Sequence, residues 1–235
     1  MTTSFVLIPG AGGMAWYWHR VLPLLRRAHH EAIGVELPGD DENVSLKDYA
    51  EIVVRAIGER SNVALVAQSL GGFTAPLVCA RVSVRSLIFV NAMIPRPGET
   101  AGAWWENTGA IEARTTAAKA NGYSTEFDLP TYFLHDIPEA VLRDGPVQQR
   151  PQAEAVFKQR CCFEHWPSIP IRVIASANDR FLPLEFQRRV ARDRLKMEPE
   201  VLPGGHLVAL SNPQGLADLL LRLEQAVPEA DDCFS

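Results

Sequence analysis

The sequence predicts an α/β fold: a mostly parallel, six-stranded sheet flanked by helices and interrupted by an inserted helical lid. Three observations carry this expectation. Short apolar runs alternate with stretches of helical periodicity. The runs are apolar at successive positions, as strands covered on both faces must be. The alternation stops at about Asn91 and resumes at Ile171.

In chain order, Ser4–Ile8 reads as a buried strand followed by the Gly-rich turn Pro9-Gly10-Ala11-Gly12-Gly13. Trp16 to Arg27 reads as one helix, with Trp18, Val21, Leu22 and Leu25 at helical spacing. Glu31–Glu36 is a second strand, closed by Leu37-Pro38-Gly39-Asp40-Asp41. The next helix carries Leu46, Tyr49, Ile52, Val53, Ala56 and Ile57 on one stripe, with Ser45 as its N-cap. Val63–Ala67 is a third strand, followed by a helix to about Arg81; Val84–Val90 is a fourth. After the interruption come a strand at Ile171–Ser176, a helix from about Pro183 to Leu195, a short strand near Glu200–Leu202 and a last helix from Pro213 to about Leu223. Residues 1–91 and 169–227 thus form the core, 92–168 a helical lid and 228–235 a flexible acidic tail.

Composition narrows the function classes. The 235 residues are 47% hydrophobic and carry 23 Lys+Arg against 28 Asp+Glu, a formal charge of −5. A nucleic-acid footprint would need a basic excess, and no apolar run approaches the ~18 residues of a membrane span. The N-terminal stretch lacks a basic n-region, and Phe5 to Ile8 is too short for a signal h-region, so the expected location is the cytoplasm. Cys79, Cys161, Cys162 and Cys233 form no C-x-x-C pair, and the six histidines show no zinc spacing. The expectation is reduced thiols and no metal.

The chemistry begins at Ala67-Gln68-Ser69-Leu70-Gly71-Gly72, between an apolar strand and a helix. A serine there is lifted above the sheet on a strained turn, and the residues two before and two after must be small; Ala67 and Gly71 are. The helix N-terminus favours the negative charge that forms when a hydroxyl attacks a carbonyl. Alone, Ser69 would also serve as a helix N-cap. A serine nucleophile needs a base and the base an orienting acid. Asp179 follows the strand ending at Ser176, and His206 follows the strand ending at Leu202, after Gly204-Gly205. Open parallel sheets bind ligands at these strand ends, and the chain order Ser69, Asp179, His206 suits this sheet type.

The rival positions are weaker. Asp40, Asp41 and Glu42 lie on a loop without an elbow, and Asn91 after the fourth strand cannot be a charged acid. His19 falls within a helical stretch, His29 and His30 in a helix-to-strand loop, and His135 and His165 in or beside the lid. The backbone amides of Ala11 and Leu70 are the candidates for an oxyanion hole. Gly10, Gly12 and Gly13 lack the G-x-G-x-x-G register of a dinucleotide site, and no Gly-Lys-Ser/Thr follows. Gly10, Trp16, Trp104, Trp105 and Phe133 are the expected pocket residues, with Trp18 an alternative to Trp16, although core packing is the commoner fate of any single aromatic.

Together these residues resemble the α/β-hydrolase superfamily over nearly the whole chain outside the lid and tail. Within it, Phe5-Val6-Leu7-Ile8-Pro9-Gly10-Ala11-Gly12-Gly13 with Trp16 and Trp18, and Asp179-Arg180-Phe181-Leu182-Pro183, resemble the small plant methyl-ester esterases and hydroxynitrile lyases. The resemblance implies the α/β-hydrolase fold without a leading antiparallel hairpin, a helical cap, a Ser–His–Asp triad and no cofactor. Two departures stand out. The family usually has His where this chain has Pro9, which removes a side-chain hydrogen bond but no backbone donor. Its lyases carry a lysine directly after the catalytic histidine, and this chain has Leu207, which favours the esterase branch. The expectation is a serine hydrolase of a small carboxylic ester, monomeric or homodimeric. The alternatives are a lyase or other cofactor-free reaction on the same scaffold, and a receptor-like ligand binder with slow turnover.

Overall fold

Alternate residues of a strand face opposite sides, so a strand apolar throughout must be covered twice. The computed structural model, which describes residues 2–145 and 150–227, bears this out. Val6 and Ile8 pack into one hydrophobic core and Phe5 and Leu7 into another. Val63, Leu65 and Ala67 share the first core, Ala64 and Val66 the second; Leu87 and Phe89 divide from Ile88 and Val90 in the same way.

The described strands are β1 (Ser4–Ile8), β2 (Glu31–Gly34), β3 (Val63–Gln68), β4 (Ser86–Val90), β5 (Ile171–Ser176) and β6 (Glu200–Leu202). They form an all-parallel sheet in the order β2-β1-β3-β4-β5-β6. The chain runs outward from β1 to β2 and then returns to the other side of β1 at β3. The topological switch point therefore lies between β1 and β3, where the Gly10 turn meets Ser69.

The helices before β4 are α1 (Leu22–Arg27), α2 (Leu46–Ile57) and α3 (Gly71–Cys79). Between β4 and β5 come α4 (Ala101–Thr108), α5 (Ala110–Asn121), α6 (Glu139–Arg143) and α7 (Glu154–Lys158). After β5 follow α8 (Leu184–Leu195), α9 (Val208–Ser211) and α10 (Pro213–Gln225). Helices α2, α3 and α8 cover one face of the sheet; α1, α9 and α10 cover the other. Ser45 caps α2 through a reciprocal pair in which its hydroxyl accepts from Asp48 N–H and the Asp48 carboxylate accepts from Ser45 N–H.

The structure departs from the sequence expectation in several elements. The single helix expected from Trp16 to Arg27 is two pieces, a 3-10 turn at Ala15–Trp18 and then α1. Pro23 is the reason: it lacks an N–H and its ring would collide with the His19 carbonyl, so it is tolerated only in a first helical turn. The second strand ends at Gly34, short of Glu36, and the fourth starts at Ser86 rather than Val84. Helix α9 is too short to show a period in sequence. The sheet is wholly parallel among the described residues. The expected tail, 228–235, and residues 146–149 of the expected lid segment lie outside the described residues.

Candidate active site

Ser69 leaves the C-terminal end of β3 with φ of +50°, in the left-handed region that side chains other than glycine avoid. The turn is held open by its neighbours: Ser69 N–H donates to Val90 O, and Ser69 O accepts from Gly72 and Met93 N–H. Two glycines make the turn possible. A β-carbon on Gly10 would lie 2.8 Å from Ser69 Cβ and 2.4 Å from Gln68 Oε1. One on Gly71 would lie 2.6 Å from Pro9 O, which is the physical reason for a small residue two positions after the serine.

Asp179 follows β5 and is buried, with both carboxylate oxygens engaged. Oδ1 accepts from the amides of Phe181 and Leu182, each at 2.8 Å. Oδ2 accepts from Gln187 Nε2 at 3.2 Å and lies 2.8 Å from His206 Nδ1. His206, fully buried, follows β6 and reaches Ser69 Oγ through Nε2 at 3.0 Å. With the Nδ1 proton directed at Asp179, Nε2 is left as an acceptor for the serine hydroxyl. The three residues named from sequence are thus one hydrogen-bonded chain.

The backbone around His206 is fastened by residues that sequence reasoning missed or used differently. Asn91, which cannot be a charged acid, has φ of +45° and donates through Nδ2 to Ser176 Oγ at 2.8 Å, Gly205 O at 3.2 Å and His206 O at 3.1 Å. Its Oδ1 accepts from Ser176 N–H at 2.7 Å. Asp136 Oδ2 accepts from Gly205 N–H at 2.5 Å. No pattern in one sequence marks these two residues, because each acts on backbone far away along the chain. The rings of Phe133 and Phe181 flank His206, with centres 4.9 and 5.0 Å away.

Of the other expected pocket residues, Trp104 sits fully buried in the core, its indole N–H donating to Ile94 O at 3.0 Å. Large size and burial against the sheet explain that placement. Trp105 packs edge-on to Trp104 and Phe181, Trp16 stacks on His19, and Trp18 is buried in the second core. The amides of Ala11 and Leu70 donate to no protein acceptor among the described residues. His135 is half-buried, and burial lowers its pKa; His165 is exposed. Ser69 itself is only 7% exposed, so the nucleophile position is nearly sealed. A cavity of about 1430 Å³ lies between α5 and the loop after β5, touching Asp179, Arg180, His135 and Asp136 rather than Ser69. Among the described residues no three His, Cys, Asp or Glu side chains gather as metal ligands, and no helix is long and apolar enough to cross a membrane.

Comparison with known proteins follows the same outline. The profile described as "Alpha/beta hydrolase family" matches residues 5–219. The chain is 33% identical to "Probable esterase PIR7A" of Oryza sativa, over 93% of this chain and 95% of the relative. It is 26% identical to Methylesterase 3 of Arabidopsis thaliana (93% and 94%) and 24% identical to an alpha-hydroxynitrile lyase of the same plant (92% and 95%). Among solved structures, a pyrethroid hydrolase from Sphingobium faniae JZ-2 superposes with a TM-score of 0.75 at 20% identity, covering 96% of this chain and 98% of that one. The methylesterase MES16 from Arabidopsis does so at 0.73 and 20%, covering 94% and 98%.

Proposed function

The chain belongs to the alpha/beta hydrolase family and is a carboxylic ester hydrolase, and we propose that it works as a serine esterase on a small ester through an acyl-enzyme intermediate. The single observation that carries the mechanism is the continuous hydrogen-bond chain from Asp179 through His206 to Ser69.

In this reading Ser69 Oγ attacks the ester carbonyl while His206 Nε2 takes the hydroxyl proton. The imidazolium so formed is stabilised by Asp179, whose remaining acceptor sites are filled by Phe181 N–H, Leu182 N–H and Gln187. The carbonyl oxygen, now negative, is received by the amides of Ala11 and Leu70. Collapse of the tetrahedral intermediate breaks the C–O bond to the alcohol, which leaves with the proton from Nε2. Water then repeats the sequence on the acyl-enzyme: Nε2 takes its proton, the acid departs and Ser69 recovers its hydrogen. The net reaction consumes one ester and one water and leaves Ser69 and His206 as they began.

We read the helices between β4 and β5 as a lid over this site. Near-complete burial of Ser69 supports that role, as does Phe133 of the same segment, whose ring packs against His206. Similarity to a hydroxynitrile lyase keeps a lyase reading in view, but the residue after His206 is the apolar Leu207, which supplies no proton or positive charge.

A fluorophosphonate probe tests the nucleophile. One adduct at Ser69, lost in Ser69→Ala, is expected together with hydrolysis of p-nitrophenyl acetate. Labelling that survives in Ser69→Ala overturns the assignment. Labelling without turnover on acetate, butyrate or octanoate esters favours a ligand-binding role.

A further inference from the structure

Arg114, on α5, is an exception among the half-buried arginines of the described residues. Arg20, Arg85, Arg150, Arg172, Arg180 and Arg194 each donate to a backbone carbonyl, and Arg188 donates to the Glu185 carboxylate. Arg114 donates to no acceptor and pairs with no carboxylate among the described residues, and its Nε is shielded from solvent. Its guanidinium carbon lies 5.5, 5.4 and 5.4 Å from the ring centres of Phe127, Tyr132 and Phe181. Those rings attract the charge but offer no acceptor for its N–H groups. Desolvation lowers its pKa, the mark of a cation short of compensation.

The position of this cation matters. Phe181 contacts the guanidinium on one side and the His206 ring on the other, and Phe133 touches both Phe181 and His206. One aromatic ring therefore separates the Arg114 guanidinium, with its unpaired Nε, from the His206–Ser69 pair. A shielded Nε–H left unpaired is costly, and a planar carboxylate is the acceptor whose two oxygens match the guanidinium fork.

We propose that Arg114 is a substrate-recognition residue that binds a carboxylate carried by the acyl part of the ester, about one ring's width from the carbonyl that Ser69 attacks. The substrate class is then the half-ester of a dicarboxylic acid. This rests on the serine-esterase reading and deepens it by assigning the acyl group a charge and a length.

The test compares monomethyl terephthalate with dimethyl terephthalate on the wild type, Arg114→Met and Arg114→Lys. Wild type is expected to favour the half-ester in kcat/KM, and Arg114→Met to lower that preference by about 10- to 100-fold, mainly through KM. Arg114→Lys, which keeps the charge but not the fork, should fall between and guards against a failure of the Met variant to fold. A wild type without preference for the half-ester, or a preference that survives in Arg114→Met, overturns the proposal. Calorimetric titration with terephthalate reads the subsite without turnover: equal binding by wild type and Arg114→Met also overturns it. Failure of the esterase reading shows separately, as absence of fluorophosphonate labelling and of hydrolysis of both esters.

Discussion

Asp179 Oδ2 lies 2.8 Å from His206 Nδ1, and both side chains are fully shielded from water. A carboxylate in such a place holds one imidazole tautomer and one ring orientation. Asp179→Asn presents an amide that can donate to Nδ1 and so favours the wrong tautomer. Its kcat on p-nitrophenyl acetate is expected to fall by about 10⁴-fold, with the far-ultraviolet circular dichroism retained. A loss under tenfold would mean that another group orients the histidine.

The strain at Ser69 gives a second expectation. Its φ of +50° disfavours an alanine much as it does the serine, so Ser69→Ala keeps the strain and Ser69→Gly releases it. Both variants should be inactive, but Ser69→Gly should be more stable than Ser69→Ala by about 1 kcal/mol, a rise in Tm of a few degrees. Calorimetric melting of the two variants side by side measures the difference; an equal or lower Tm for the glycine variant refutes it.

Asp136 acts on the loop that carries His206 through the Gly205 amide. Asp136→Ala should leave that N–H unsatisfied and loosen the backbone just before His206. The expected result is a kcat lowered by about 10- to 100-fold with KM altered less. Asp136→Asn, whose side-chain oxygen still accepts, should recover most of the rate. Steady-state kinetics on one ester separates this from a general loss of fold, which would affect kcat through the active fraction in both variants alike.

Glu99 anchors the start of the segment after β4 to α8. Burial pushes its pKa up, but hydrogen bonds from Arg194, Asn107 and Arg96 N–H outweigh it, so the folded-state value lies below the ordinary 4.5. The carboxylate therefore contributes fully above pH 4.5, and its contribution is lost as pH falls through the folded value. Glu99→Gln is expected to cost about 3 kcal/mol at neutral pH, because it leaves the buried Arg194 without its counter-charge. Urea unfolding at pH 7, 5 and 3.5 should show the gap between wild type and variant narrowing on acidification.

Sequence reasoning reached the features whose cause is local or periodic. Strands such as Phe5-Val6-Leu7-Ile8 announce burial on both faces, and the two residues flanking Ser69 at a distance of two announce the tight turn. The order Ser69, Asp179, His206 was legible because each follows its own strand. What escaped acts across the chain. Asn91 and Asp136 touch the His206 loop from 114 and 69 residues away. Arg114 looks like any helix-surface arginine until Phe127, Tyr132 and Phe181 fold around it. The break before α1 is hidden in the sequence because the apolar spacing of Trp18, Val21 and Leu25 continues across it.

His206 hangs from β6, a three-residue strand at the sheet's margin with Glu200 and Val201 exposed. Marginal strands are the first to fray, and a base carried there would be absent for part of the time in otherwise native molecules. The bonds from Asn91 and Gln68 to the His206 carbonyl tie that margin to the ends of β4 and β3, near the middle of the sheet. Detaching the base then requires disturbing the sheet's interior, so its amides exchange with solvent through the large opening rather than a small one. Heat should thus remove activity and native structure in one transition, with no reservoir of folded molecules that hold an ester and cannot cleave it.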